Sequence, residues 1–321
     1  MQTICAAIVQ TAPIPLAINH GIAQAEKLAK QAAEDGAQLI AFGETFLGGY
    51  PIWLDEAPGA ALWDHPGTKA LHRILMEQAV VANDPRFVGL QELCDTRDVC
   101  ISIGAHERHR SSLYNTQLMF RPGKIPLNHR KLVPTHAERL IWNRGDGSTI
   151  NVHQAEWGNV GHLICWEHWM PMARAAMHNL GEAVHVSAWP TVRETYSIAS
   201  RHYAFEGGCH VLAAGTLLHR DDLMNGLKLV DGDADAKALF GEIPDQRLQF
   251  GGSQIIAPDG LVLVEAGQEN IILQADIDLN KGLEAKAALD VDGHYSRPDV
   301  FDLTVDTREQ LGVTWGDAEK S

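Results

Sequence analysis

Short apolar runs recur along the chain, and most are separated by longer segments with helical spacing of apolar residues. This alternation most narrows the folds open to the sequence. ICAAIVQ (4–10) reads as a strand, and residues 17–35 read as a helix that stops at Asp-Gly. AQLIAFGE (37–44) is a second strand, and residues 67–82 and 85–98 are helical. VCISIGAHE (99–107) and LYNTQLMFRP (113–122) are strands joined by a Ser-Ser turn. VGHLICWE (160–167) is a strand that runs into a helix starting near Pro171. AVHVSAWP (183–190), a helix over 193–208 and CHVLAAGTLL (209–218) follow. SQIIAPDGLVLVEAG (253–267) has a hairpin pattern with Pro-Asp-Gly at its turn, and NIILQADIDL (270–279) is a late strand. Helices alternating with strands, with hairpins mixed in, indicate an α/β fold. The polar, turn-rich stretch 219–252 reads as a long surface excursion. No linker or repeat interrupts the chain, so residues 1–303 are expected to form one domain and 304–321 a C-terminal tail.

The 26 Lys and Arg residues are outnumbered by 41 Asp and Glu, giving a net charge of −15. No basic block suited to phosphates stands out, which argues against nucleic acid and anionic membranes as partners. The five cysteines, Cys5, Cys94, Cys100, Cys165 and Cys209, are odd in number, irregularly spaced and without a C-x-x-C pair. That usage fits a reducing compartment better than a disulfide framework. MQTICAAIVQTAP lacks the basic region of a signal peptide, and no apolar stretch is long enough to span a bilayer. The cytoplasm is the expected location.

Three residues stand out chemically. Cys165 ends an apolar strand just before a helix, with Trp166, Glu167, His168 and Trp169 crowded behind it. A lone cysteine is ordinarily a buried structural thiol. At a strand-to-helix turn, however, following backbone N–H groups can lower a thiol pKa and bind an oxyanion. The other four cysteines lie in apolar patterns and read as structural. Glu44 ends a buried strand before Thr45 and a Gly-Gly turn, where α/β folds place their sites. Lys131, in NHRKLVPTHAERLIW, has Glu138 seven residues on. A lysine supplies a fixed cation for charge developing on an attacked atom, and a nearby carboxylate can act as base.

GETFLGGYP around Glu44, HRKLVPTHAERLIW around Lys131 and GHLICWEHWMPMAR around Cys165 resemble the three signature regions of the nitrilase superfamily, the carbon–nitrogen hydrolases. They stand in the family's order. VHVSAWP (184–190), SRHYAFEG (200–207) and HYSRPDVFDL (294–303) add to the resemblance, which covers roughly residues 3–303. It implies a four-layer α-β-β-α sandwich, paired in the family into an α-β-β-α-α-β-β-α dimer that builds larger spiral or helical homo-oligomers. It also implies Cys165 as nucleophile, Glu44 as general base and later proton donor, Lys131 as stabiliser of the tetrahedral intermediate, and Glu138 as the glutamate that orients the lysine. Cys-Trp-Glu at 165–167 resembles the nitrilase branch, whereas amidase and carbamoylase branches more often carry Cys-Tyr-Asp. Asn143-Arg144 departs from the Gly-x pair common there.

The implied reaction converts a small organic nitrile to a carboxylic acid and ammonia through a thioimidate and a thioester on Cys165, without metal or organic cofactor. Tyr50, Trp53, Trp166, His168 and Trp189 are candidate walls for an apolar aliphatic or aryl nitrile. The rival within the family is an amide hydrolase using the same residues; a non-catalytic scaffold is disfavoured because all three are present. The 16 histidines invite a zinc reading, but none has H-E-x-x-H spacing. Asp231, Asp233, Asp235 and Glu242 mimic calcium-loop positions, with Ala236 where a glycine is needed.

Overall fold

Along Thr3–Gln10 (β1), Ile4, Ala6 and Ile8 join one buried apolar cluster while Ala7 and Val9 join another. Side chains alternate across a strand, so a strand buried on both faces needs cover on each. The computed structural model, which describes residues 2–310, 312 and 313, shows what supplies it. The remaining strands are Leu39–Phe42 (β2), Cys100–His109 (β3), Ser112–Arg121 (β4), Lys124–Arg130 (β5), Val152–Ala155 (β6), Gly158–Ile164 (β7), Glu182–Ala188 (β8), His210–Ala214 (β9), Leu217–His219 (β10), Arg247–Phe250 (β11), Gln254–Ile256 (β12), Val262–Glu265 (β13) and Ile271–Asp278 (β14). The helices are Ile18–Glu34 (α1), Trp53–Glu56 (α2), Pro66–Gln78 (α3), Val88–Arg97 (α4), Pro171–Asn179 (α5), Glu194–Gly207 (α6), Arg220–Leu229 (α7), Ala234–Gly241 (α8) and Asn280–Ala285 (α9).

Two six-stranded sheets run β14-β1-β2-β3-β4-β5 and β13-β12-β9-β8-β7-β6. Ile4, Ile8, Leu39 and Met119 of the first pack against Val160, Val184, Val186 and Leu212 of the second. Each such side chain withdrawn from water contributes roughly 1.5–3 kcal/mol. On the outer face of the first sheet, Ala25 and Ala29 of α1 and Leu90 and Cys94 of α4 meet Ala7, Val9 and Phe42. On the outer face of the second, Met177 of α5 and Tyr203 of α6 meet Leu163 and Val211. The layers are therefore α-β-β-α, as the resemblance implied.

Both sheets follow one connection pattern. β1, β2 and β3 are mutually parallel, flanked by antiparallel β14 and β4, with β5 beyond β4. β7, β8 and β9 are parallel, flanked by antiparallel β6 and β12, with β13 beyond β12.

Several expectations need correction. Residues 219–252 are not a surface excursion: they hold α7, α8 and β11, and Leu223, Leu227, Ala236, Leu239, Phe240, Ile243 and Leu248 are buried with Trp53, Leu71 and Ile74. Their apolar stripe has helical spacing but is interleaved with the charges of Asp221, Asp222, Lys228 and Asp231 to Asp235, which hides it. The run 209–218 is two strands, because at Gly215 and Thr216 the backbone turns aside to bond Ser253 and Gly251. The strand expected over 160–167 ends at Ile164. β5 went unread because Pro126 and polar neighbours mask it; it is an edge strand, where proline is tolerated. Of the expected tail, 304–321, residues 311 and 314–321 lie outside the described residues.

Phe240 packs on Trp53 with ring centroids 5.4 Å apart. Phe240→Ala is expected to lower stability by about 3–5 kcal/mol, read as a lower urea midpoint. A change under about 1 kcal/mol would contradict a core role for this segment.

Candidate active site

Three chain segments leave the sheets at the same end of the sandwich. Glu44 follows β2, Lys131 follows β5 and Cys165 follows β7. The exit of β2 runs tightly against its neighbours: at Gly104 of β3 a Cβ would sit 2.1 Å from the Thr45 nitrogen, so only glycine fits. Glu44 is held there by its own N–H, which donates to the Trp189 carbonyl at 3.1 Å.

All four charged or reactive groups named from the sequence converge. Lys131 Nζ donates to Glu44 Oε1 at 2.8 Å and to Glu138 Oε1 and Oε2 at 2.9 and 2.7 Å. Reactive atoms of Glu44, Glu138 and Cys165 lie within 4.8 Å of one another. Asn115 Nδ2 donates to Glu44 Oε1 at 2.6 Å, and Tyr50 Oη donates to Glu138 Oε1 at 2.8 Å. Glu44 Oε2 has no hydrogen-bond partner among the described residues. It is a free acceptor in the cluster that holds the thiol. The Trp142 ring lies 5.9 Å from Lys131 Nζ.

Burial dominates the electrostatics. It raises the Glu44 pKa to about 7, with Lys131 opposing and Glu138 reinforcing the rise. Burial and the Glu44 carboxylate push the Cys165 thiol well above its ordinary value, against the pull of Lys131. Burial disfavours charge on Lys131, but Glu44, Cys165 and Glu138 together keep it firmly protonated. The resting site is thus a neutral thiol, a fixed cation and a carboxyl group that titrates near neutrality. Such a set can move one proton off sulfur while stabilising negative charge elsewhere. The three grouped acidic atoms also resemble a metal cradle, but the Lys131 ammonium already bonds two of its members.

Cys165 has φ +53, a left-handed conformation rare outside glycine, and opens a tight turn over Cys165–Trp169. Such strain costs about 1–3 kcal/mol and persists only when surroundings enforce it. Here His168 Nδ1 donates to the Cys165 carbonyl at 2.7 Å, and His168 Nε2 meets His185 Nε2 at 3.0 Å. His185 Nδ1 lies 2.6 Å from Glu182 Oε1, and Tyr203 Oη donates to Glu182 Oε2. Burial raises Glu182 to about 7.

Of the five aromatic candidates, three are committed to packing. Trp53 lies against Phe240 in the apolar core, His168 spends both nitrogens inside the protein, and Trp189 is fully buried and stacked on Tyr196 at 4.6 Å. Tyr50 stays beside the charged cluster through Glu138, and Trp166 is 49% exposed beside Cys165. Asn115 and Trp142 were missed. Asn115 is one of three consecutive buried polar residues of β4, with Thr116 and Gln117, so nothing in the sequence singles it out. Elsewhere, His106 of the His-Glu-Arg-His segment donates to the Gly49 carbonyl and accepts from Trp142 Nε1. Asp233 of the calcium-like stretch caps α8 and pairs with Arg73.

Residues 5–287 match the family model described as carbon-nitrogen hydrolase. The chain is 36% identical to an aliphatic nitrilase of Sinorhizobium fredii over 96% of this chain and 97% of that protein. It is 35% identical to a bifunctional nitrilase/nitrile hydratase of Lupinus angustifolius over 98% of this chain and 90% of that one. Among solved structures, a carbon-nitrogen hydrolase of Helicobacter pylori G27 shares the fold with a TM-score of 0.66 at 19% identity, covering 89% of this chain and 92% of that one.

The Glu44 pKa sets the sign of a pH dependence. Below about pH 7 its carboxyl is protonated and cannot take the thiol proton, so the rate of iodoacetamide alkylation at Cys165 should fall as pH drops through that value. In Glu44→Gln the rate should be about 100-fold lower and lose that limb. A limb of wild-type size in the variant would assign the titration to another group.

Proposed function

Because the chain belongs to the carbon–nitrogen hydrolase family, we propose that it is a nitrilase converting a small organic nitrile to its carboxylic acid and ammonia. The single observation that carries the chemistry is the buried Lys131 ammonium held by Glu44 and Glu138 beside the Cys165 thiol. Similarity at about a third identity to nitrilases along nearly the whole chain supports the choice of substrate class.

In this reading Glu44, through its free Oε2, takes the thiol proton as Cys165 sulfur attacks the nitrile carbon. The proton passes to the nitrile nitrogen and a thioimidate results. Lys131 stabilises negative charge on that nitrogen during attack; its own proton is held too firmly to be given up. Glu138 fixes the ammonium, and its Oε1 also accepts from the Tyr50 hydroxyl. Water, deprotonated by Glu44, adds to the thioimidate. Glu44 returns that proton to the nitrogen, then relays the proton of the new hydroxyl to it as the C–N bond breaks, so ammonia leaves and a thioester remains. A second water cleaves the C–S bond and frees the acid. Breaking C–S one step earlier releases the amide, an outcome that similarity to a bifunctional nitrilase/nitrile hydratase brings into view.

Ile198 and Phe205 of α6 are exposed side by side and Met172 of α5 is exposed as well, which supports homo-oligomerisation; the larger spirals built from a dimer rest on the family resemblance. The five free cysteines suit a reducing cytoplasm. The one-domain organisation over residues 1–303, with a tail beyond, stands as part of the same proposal.

Purified protein incubated with aliphatic and aromatic nitriles and the matched amides should yield acid and ammonia from nitriles and little from amides. Cys165→Ala should lower turnover roughly 10,000-fold or more. Cys165-dependent turnover of amides alone would reassign the chain to an amide-hydrolysing branch.

A further inference from the structure

Glu167 is 1% exposed, and no step above uses it. Its Oε1 accepts from the Leu132 N–H at 2.7 Å, and its Oε2 accepts from the Ile164 N–H at 2.7 Å. Both oxygens lie within 3.1 Å of His129 Nε2. Leu132 directly follows Lys131, and Ile164 directly precedes Cys165. The first segment leaves β5 of one sheet and the second leaves β7 of the other. One carboxylate therefore joins the two sheets at the backbone on either side of the reacting pair.

The charge on this clamp follows from its hydrogen bonds. His129 Nδ1 lies 3.1 Å from the Thr149 carbonyl, which can only accept, and Nε2 faces a carboxylate. Both ring nitrogens must donate, so the imidazole is a cation and Glu167 its anion. The pKa directions agree: burial disfavours the charged forms, yet the pair holds Glu167 below and His129 above their ordinary values. The nearby His162 and His168 are kept neutral, chiefly by burial. Cys165 itself sits in a strained left-handed turn, a conformation that its neighbours must impose.

We propose that Glu167, held by His129, is a positioning residue that fixes the separation of Lys131 and Cys165 across the two sheets. This rests on the roles proposed for those two residues. A glutamine presents an NH2 to one of the two N–H donors and leaves it without an acceptor.

The test measures iodoacetamide alkylation of Cys165, located by peptide mass, alongside kcat and KM for a nitrile, well below each variant's Tm. Glu167→Gln should be alkylated about tenfold or more slowly, since small displacements of reacting groups carry large rate penalties. Its kcat should fall similarly while KM stays within about threefold. His129→Gln, which keeps the carboxylate but removes its cation, should show a smaller loss of the same kind. If Glu167→Gln does not fold, His129→Gln carries the test. Wild-type alkylation rates in the folded variants, whatever their Tm, would overturn the proposal and leave only a structural ion pair. Alkylation needs no nitrile, so a wild-type protein that turns over no nitrile would sink the nitrilase reading without touching this result.

Discussion

A buried ammonium shared by two carboxylates is the constraint around which the site is arranged. Withdrawing each ion from water costs several kcal/mol, and only close, well-aligned partners offset that. Lys131 therefore needs both Glu44 and Glu138, and each of them needs Lys131. Two carboxylates against one ammonium leave an excess negative charge in a dry place. Glu44 absorbs the imbalance by titrating near neutrality, which is the property a general base requires. The reactivity of the site and the electrostatic cost of building it come from one arrangement.

The fold places that arrangement by repeating itself. Each sheet carries three parallel strands flanked by antiparallel ones, and each offers its carboxyl-terminal strand ends to the same space. Glu44 and Lys131 come from one sheet and Cys165 from the other. The apolar layer between the sheets, with Ile8, Val184, Val186 and Leu212, fixes their spacing. Polar links then set the finer geometry: Glu44 to the Trp189 carbonyl, and Glu167 to both backbones.

Much of this was legible in the sequence, for a definite reason. Glu44, Lys131 and Cys165 each end an apolar run or lie just past a polar one, so strand ends and reactive side chains could be read together. The α/β class followed from the alternation of strands and helices, and the sandwich from the resemblance alone. What stayed hidden depends on contacts across long stretches of chain. Asn115 reaches Glu44 and His129 reaches Glu167 only after folding, and neither pair has a sequence spacing that announces it. Residues 219–252 read as exposed because charges crowd the segment, although Leu223, Leu227, Leu239 and Phe240 form a buried stripe beneath them. Trp53 and His168, read as candidate walls for a ligand, make their contacts inside the protein.

The division of the reactive groups between two sheets has a consequence for the newly made chain. Glu44 and Lys131 emerge from synthesis before Cys165, but neither half holds a complete set. Until the second sheet docks on the first, the Cys165 thiol has neither the Glu44 carboxylate nor the Lys131 ammonium beside it. The complete cluster of thiol, ammonium and carboxylates therefore exists only once the interior between the sheets is finished. Sheet-on-sheet packing is in this sense the last step in building the cluster, since it alone joins the two sets of residues.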